Sequence, residues 1–393
     1  MKQSMSKKLF LFLVFLPLFL SAQDSTKVRN FVVSGYVKDM QTFILSNVQT
    51  NHTWANLIHN RLNFKWFISP SFTASLELRN RFLFGNMLRN FQGYNKTFEI
   101  DNGIISLSKN LIDQSDCLLN TTVDRLWLQY SSDKFQVTLG RQRINWGQTF
   151  VWNPNDIFNS YSFFDFDYEE KPGSDAVRMQ YYSSPTSVIE LAAKSNNQHK
   201  ATIAGLYRFN KWNYDLQFIG GVVDQTDMVI GTGWSGQLGS GGFRGEASYF
   251  IPTKCLSVSD SVGIFLASIG YDYTFKNSLF LQLEVLYNGN NKSTNVFSLD
   301  QLSSTNLSAK NLFLPDFSIF FSLSYPISPL VNCSLAGVAN PKNELCFIIP
   351  SISFSLKENL ELSLTSQIIR SLGVSNLATQ NYNFIYARLK QSF

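Results

Sequence analysis

The chain has 393 residues, of which only 16% are charged and 15% are aromatic, with 35 phenylalanines and 16 tyrosines. Its formal net charge is +5, and Lys2, Lys7 and Lys8 carry three of the positive charges, so the rest of the chain is nearly neutral. No basic run with interleaved aromatic residues occurs. This composition argues against a nucleic-acid partner.

The N-terminal segment predicts export. Its three lysines precede an almost unbroken apolar run over residues 9–20, and Ser21-Ala22 follows. This order is typical of a secretory signal peptide that is cleaved after a small residue. The run is shorter than the roughly 20 apolar residues that a membrane-spanning helix needs. We therefore expect residues 1–22 to be a signal peptide and residues 23–393 to form one exported domain; an uncleaved anchor is the alternative.

Beyond the signal peptide the chain alternates apolar and polar residues instead of forming long apolar runs. In the segment 56–68, for example, Ile58 and Leu62 lie on one face of an extended strand, and His59 and Arg61 lie on the other. In a membrane barrel one strand face meets lipid and the other a wet lumen, and a basic residue at mid-bilayer on the lipid face costs about 2–4 kcal/mol. The pattern therefore predicts an all-β fold, a transmembrane antiparallel up-and-down β-barrel. A large soluble all-β protein is the alternative.

The spacing of these stretches predicts about 18 strands, although 16 would preserve the same pattern of connections. Short connections follow the even-numbered strands and every long connection follows an odd-numbered strand, as in bacterial barrels with periplasmic turns and outer loops. The predicted strands lie near residues 31–45, 54–68, 72–85, 122–131, 134–141, 174–183, 186–194, 200–209, 212–223, 227–238, 243–251, 262–274, 278–288, 316–325, 330–338, 344–355, 359–368 and 381–393.

The C-terminal stretch 383–393 also alternates and ends on Phe393. It resembles the terminal strand by which outer-membrane barrels are recognised for insertion, although Gln391 departs from the usual apolar residue. We therefore expect the barrel-insertion machinery to be a partner and the outer membrane of a Gram-negative cell to be the location.

One stretch of the sequence is distinctive. Residues 140–159 read GRQRINWGQTFVWNPNDIFN, and residues 169–178 read EEKPGSDAVR. The pattern G-R-Q-x-I-x-W-G, W-N-P-x-D-x-F-N and E-x-x-P-G-x-D-A-x-R resembles that of uncharacterised outer-membrane porins related to alginate-export barrels. The resemblance covers about 40 residues, and it implies a monomeric transport channel whose substrate is generally unassigned.

The connection 142–173 is long and unusually aromatic for an outer loop. We expect it to fold into the barrel and narrow the pore, with its arginines facing its carboxylates across the constriction, an arrangement that selects polar solutes. The alternative is that these ion pairs only attach the loop to the wall, and both roles are compatible. The predicted constriction and pore-lining residues are Arg141, Arg143, Trp146, Trp152, Asp156, Glu169, Glu170, Asp175 and Arg178, together with Arg79 and Arg81 of the wall.

The residues predicted to face the lumen are more often basic, as Arg61, Lys65 and Arg208 are, than acidic, as Glu77 and Asp124 are. A basic lining favours anions. The sequence thus predicts a porin for passive diffusion of small polar or anionic solutes, with membrane lipid and these solutes as partners. The alternative is a non-conducting structural or accessory barrel of a surface or secretion assembly.

No motif predicts catalysis. The chain has three histidines, and Gly233–Gln237 lacks the last glycine of a hydrolase nucleophile motif. Acidic clusters such as Asp165 and Asp167 offer the carboxylate oxygens that Ca²⁺ binds, but a solvated loop explains this pair better. We therefore predict no enzyme activity, no cofactor and no metal site.

Four cysteines are present, at positions 117, 255, 333 and 346. Cys333 and Cys346 flank a short connection centred near Ala339-Asn340, and a symmetric hairpin would place them opposite each other. Cross-strand neighbours lie within disulfide reach. A disulfide between Cys333 and Cys346 is one prediction, and four free or partly buried thiols are the other.

Overall fold

The protein, described here by a computed structural model, is a closed antiparallel barrel of eighteen strands with one further strand outside the ring. The predicted signal peptide, Glu169, Cys255 and the pair Asp165 and Asp167 lie outside the described residues. The structure describes residues 30–47, 52–91, 93–159, 170, 172–253, 262–290, 308–342, 344–371 and 380–393.

The strand count of eighteen is confirmed, and most predicted bounds are correct within a few residues. The strands are β1 Phe31–Ser46, β2 Thr53–Phe67, β3 Phe72–Phe84, β4 Ser108–Asp113, β5 Cys117–Ser131, β6 Phe135–Gln142, β7 Ser174–Ser184, β8 Ser187–Ser195, β9 Ala201–Lys211, β10 Tyr214–Val223, β11 Asp227–Leu238, β12 Gly241–Pro252, β13 Ile264–Thr274, β14 Phe280–Asn288, β15 Asp316–Ser328, β16 Val331–Asn340, β17 Leu345–Lys357, β18 Leu360–Ser371 and β19 Gln380–Ser392.

The first and last strands close the ring. β1 pairs with β2 on one edge and with β19 on the other, from Tyr36 opposite Ser392 to Ser46 opposite Tyr382. The backbones of Gly35 and Phe393 exchange hydrogen bonds of 2.9 and 3.0 Å. Because every wall strand has two neighbours, the barrel has no open edge.

The extra strand β4 was not predicted. β6 pairs with β5 only from Leu126 to Ser131, which leaves the upper part of that edge free. β4 occupies this free part of the β5 edge and pairs with β5 from Leu118 to Thr122. A six-residue strand inside a long polar connection has too short an alternating pattern to be recognised from sequence.

Side chains alternate between the two faces of the wall, as predicted. On β12, Glu246 and Phe250 point inward and are buried, whereas Tyr249 and Ile251 are exposed on the outer face. Leu139 is another exposed apolar residue of the outer face. An apolar exterior around a polar interior is the arrangement that a bilayer requires.

Two short helices, α1 (Met87–Asn90) and α2 (Tyr94–Thr97), interrupt the connection between β3 and β5. Leu88 and Phe98 of this connection are buried in an apolar cluster with side chains of the neighbouring wall. No helix of the described residues is long and apolar enough to cross a membrane.

The predicted disulfide is wrong in this structure. Cys333 and Cys346 are both free. The strands β16 and β17 pair Cys333 with Ile352 and Cys346 with Ala339, because the hairpin turns after Asn340 and not around it. The two thiols therefore lie at different heights of the barrel. Cys117 is also free.

Candidate functional site: a segment folded into the barrel

Residues 143–159, here called the inner segment, fold into the barrel as predicted. Ile144, Trp146 and Trp152 are buried, with Trp146 only 1% exposed. Trp146, Ile157 and Phe158 form an apolar cluster with inward-facing side chains of the wall. Burial of these side chains keeps the segment inside, because each stabilises that position by roughly 1.5–3 kcal/mol.

The first polar attachment of the inner segment is Glu246 of β12. Its carboxylate accepts hydrogen bonds from the backbone N–H of Gln148, from that of Thr149 at 2.7 Å and from that of Asn155 at 2.9 Å. The Thr149 hydroxyl donates to the same carboxylate at 2.9 Å. Glu246 is completely buried, so these donors replace the water that a carboxylate needs.

The second attachment is Glu284 of β14, which is also completely buried. It accepts from the backbone N–H groups of Phe150 at 2.9 Å, Val151 at 3.0 Å and Trp152 at 2.8 Å. The hydroxyl of Ser268 donates to it at 2.8 Å. Glu246 and Glu284 together, here called the carboxylate clamp, thus fix six backbone N–H groups of the inner segment.

A third carboxylate, Glu190 of β8, holds the start of the segment. Trp146 donates to it through Nε1 at 2.6 Å. Arg178 makes two hydrogen bonds of 2.7 Å to the same carboxylate, and Gln180 adds one of 2.9 Å. Trp146 and Arg178, both predicted at the constriction, therefore meet at one carboxylate of the wall.

Amide side chains close the far end of the segment. Asn159 accepts from the backbone N–H of Ile144 at 3.0 Å and donates to the carbonyl of Pro172 at 2.7 Å. Asp156 is buried, and Lys194 donates to the carbonyl of Phe158 at 2.7 Å. Asp156 is therefore an internal group of the fold and does not face the lumen.

Trp152 packs and does not line a pore. Its ring lies 5.8 Å from that of Phe313, in the connection before β15, and 6.5 Å from that of Phe320. A second connection thus enters the barrel and covers the inner segment.

Arg141 and Asp175, both predicted to line the pore, lie opposite each other in the pairing of β6 and β7. Arg141 is buried. Arg141 pairs with Asp175 and with Asp101, each at 2.7 Å, and so attaches the β3–β5 connection to the wall.

A separate ion-pair group lies on β2, β3 and β5. Asp124 accepts from Arg61 at 2.6 Å and lies 3.2 Å from Arg79, while Glu77 pairs with Arg61. Glu170 reaches the same group, 3.5 Å from Arg61. Arg79 is therefore a buried partner of Asp124.

Arg81, on the same wall, donates to Asn120 at 2.8 Å and lies 4.4 Å from the ring centre of Phe98. It is partly buried beneath the β3–β5 connection. Arg143 is also partly buried, and no ion pair joins it to any residue that the structure describes.

Sequence reasoning missed the carboxylate clamp, and it missed Glu190. All three carboxylates occupy inward positions of otherwise ordinary strands, where nothing in the local pattern distinguishes a loop anchor from a lumen-facing charge. The missed cation is Arg244 of β12, which lies 3.0 Å from Asp272 and 3.9 Å from the ring centre of Phe150. Arg208, predicted inside, faces the lumen and donates to Gln217 at 2.9 Å.

No family model matches this chain, and no curated protein does. Several solved structures, however, are similar to it. Acinetobacter baumannii OccAB1 is similar over 95% of this chain and 99% of its own, with a TM-score of 0.58 and 8% identity. The outer membrane protein OpdK of Pseudomonas aeruginosa is similar over 92% and 99%, with a TM-score of 0.54 and 10% identity. OccAB4 of Acinetobacter baumannii is similar over 94% of this chain and 100% of its own, with a TM-score of 0.56 and 9% identity.

At such low identity the likeness shows a shared fold. These neighbours give no support to the expected relation with alginate-export barrels.

Proposed function

We propose that this chain is an outer-membrane channel for the passive diffusion of small polar solutes, with anions preferred, and that the inner segment forms its constriction. The apolar outer face and the closed ring support a membrane location. The fold shared with an outer membrane protein of Pseudomonas aeruginosa supports the same compartment. The proposal requires no catalytic group and no cofactor.

One observation carries the anion preference. The side chains of Arg178 and Arg244 remain 21% and 26% exposed, whereas the inward carboxylates Glu190, Glu246 and Glu284 are buried. These three carboxylates therefore serve the fold, whereas the two arginines meet the lumen, Arg244 beside the partly exposed Asp272. Rings of exposed basic side chains favour anions in pores.

A second function, the non-conducting accessory barrel, is favoured by a different observation. Apolar clusters built by the inner segment, the β3–β5 connection and residues 309–314 occupy part of the interior. A lumen filled in this way would suit a scaffold whose outer loops bind a partner.

The deciding experiment is the single-channel current of the purified protein in a planar bilayer under a KCl gradient. Discrete current steps, with a reversal potential on the chloride side, support the channel. Arg208→Gln should lower the anion preference, whereas Arg370→Gln, an exposed arginine on the outer face, is the matched control and should leave it unchanged. A folded, heat-modifiable barrel that never conducts would overturn the channel in favour of the scaffold.

A further inference from the structure

Three inward-facing positions form one cross-strand row on β12, β13 and β14. Arg244 pairs with Gly270, and Gly270 pairs with Glu284. The row therefore has a guanidinium at one end, a carboxylate at the other and no side chain between them. Directly opposite strand positions lie about 4.5–5.5 Å apart, so the missing side chain of Gly270 leaves a gap on the inner surface of the wall.

The ring of Phe150, in the inner segment, fills this gap. A Cβ placed on Gly270 would lie 3.3 Å from two carbons of the Phe150 ring, so the ring lies directly over the glycine. The backbone N–H of Phe150 donates to Glu284 at 2.9 Å, and the Arg244 guanidinium lies 3.9 Å from the ring centre. One residue thus contacts both ends of the row.

These contacts couple a buried carboxylate to a lumen-facing cation. Glu284 fixes the main chain of Phe150, the main chain fixes the ring, and the ring supports Arg244 by a cation–π contact. On the other side Arg244 is held by Asp272 at 3.0 Å. Without the ring, the guanidinium can move into the gap over Gly270, toward the wall and away from the lumen.

We propose that Glu284 is a positioning residue for the selectivity of the channel, acting through Phe150 on Arg244. This inference rests on the proposed function. The competing view is that Glu284 only attaches the inner segment and contributes one negative charge to the interior. The two views predict changes of opposite sign when that charge is removed.

The test is the reversal potential of single channels carrying Glu284→Gln, Phe150→Leu or Arg244→Gln, each first shown to be heat-modifiable and therefore folded. If Glu284 positions Arg244, Glu284→Gln lowers the chloride-to-potassium permeability ratio by roughly two- to fivefold, the change in population that one exposed cation–π contact maintains. Phe150→Leu, which changes no charge, lowers it similarly. Glu284→Gln combined with Arg244→Gln is no lower than Arg244→Gln alone, because both act on one group.

If Glu284 acts only as a charge, Glu284→Gln raises the chloride preference and Phe150→Leu leaves it unchanged. Either result, from a conducting and folded variant, overturns this inference and leaves the proposed channel standing. A wild-type barrel that does not conduct overturns both. Should Glu284→Gln not fold, Phe150→Leu decides alone, since it retains every hydrogen bond of the clamp.

Discussion

Two regions of the barrel interior contain buried carboxylates that are stabilised in different ways. On β5, Asp124 is paired with the guanidinium groups of Arg61 and Arg79 from the adjacent strands. On β12 and β14, Glu246 and Glu284 accept hydrogen bonds from backbone N–H groups of the inner segment, with donors 97 and 132 residues away in the chain. A buried carboxylate needs such donors in either case.

The difference lies in what each solution fixes. The Asp124 group joins neighbouring strands, so it stabilises the wall. The carboxylate clamp joins the wall to a distant connection, so it determines the shape of the lumen. Because backbone N–H groups and hydroxyls supply the hydrogen bonds that the clamp needs, Arg208 and Arg244 are not used for this purpose and remain directed to the lumen.

The largest effect on stability is expected from Asp124→Asn. It leaves two buried guanidinium groups without their main counter-charge, and breaking a buried pair in this way costs about 3–5 kcal/mol. Unfolding by urea in lipid vesicles, followed by tryptophan fluorescence, measures the loss. Because the clamp is elsewhere, amide hydrogen exchange of residues 148–155 should stay as in the wild type. Fast exchange there would show that the two regions are not independent.

Glu246→Gln should have a smaller effect on global stability and a larger local one. The glutamine keeps one acceptor oxygen but turns an amide NH₂ toward backbone donors, which costs about 1–3 kcal/mol. We expect hydrogen exchange of Gln148, Thr149 and Asn155 to accelerate by about tenfold or more. Asp124→Asn is the matched control. Unchanged exchange in a folded Glu246→Gln barrel would mean that apolar packing alone holds the inner segment.

The smallest effect is expected at the cysteines, which lie outside both regions. Cys333 and Cys346 lie opposite other residues in the sheet, and both thiols are free of disulfides. Cys333→Ser and Cys346→Ser should therefore leave the unfolding midpoint unchanged. Alkylation of the denatured, unreduced protein, read by mass spectrometry, should label both thiols. A pair of thiols that resists alkylation until it is reduced would contradict their separation in the hairpin of β16 and β17.

Much of this fold follows from local sequence. Period-two alternation identified the strands and gave their number as about eighteen, and the lengths of the connections indicated that the number is even; the ring of the structure has eighteen. Both are local properties, because a strand between lipid and water must alternate wherever it pairs. The aromatic content of residues 142–173 likewise predicted that this connection is buried, since Trp146 and Trp152 are too apolar for a solvated loop.

Tertiary structure decided which hydrogen-bond and ion-pair partner each buried polar side chain has. An inward carboxylate such as Glu246 has the same local pattern whether it meets an arginine or a backbone N–H, so its role appears only when the inner segment is in place. Arg141 likewise meets Asp175 of β7 and Asp101 of the β3–β5 connection, partners that no local pattern identifies. Cys333 and Cys346 were separated because the centre of the hairpin lies three residues beyond the symmetric one near Ala339-Asn340. The sequence by itself determined a barrel with one connection folded inward, and long-range contacts determined which groups remain facing the lumen.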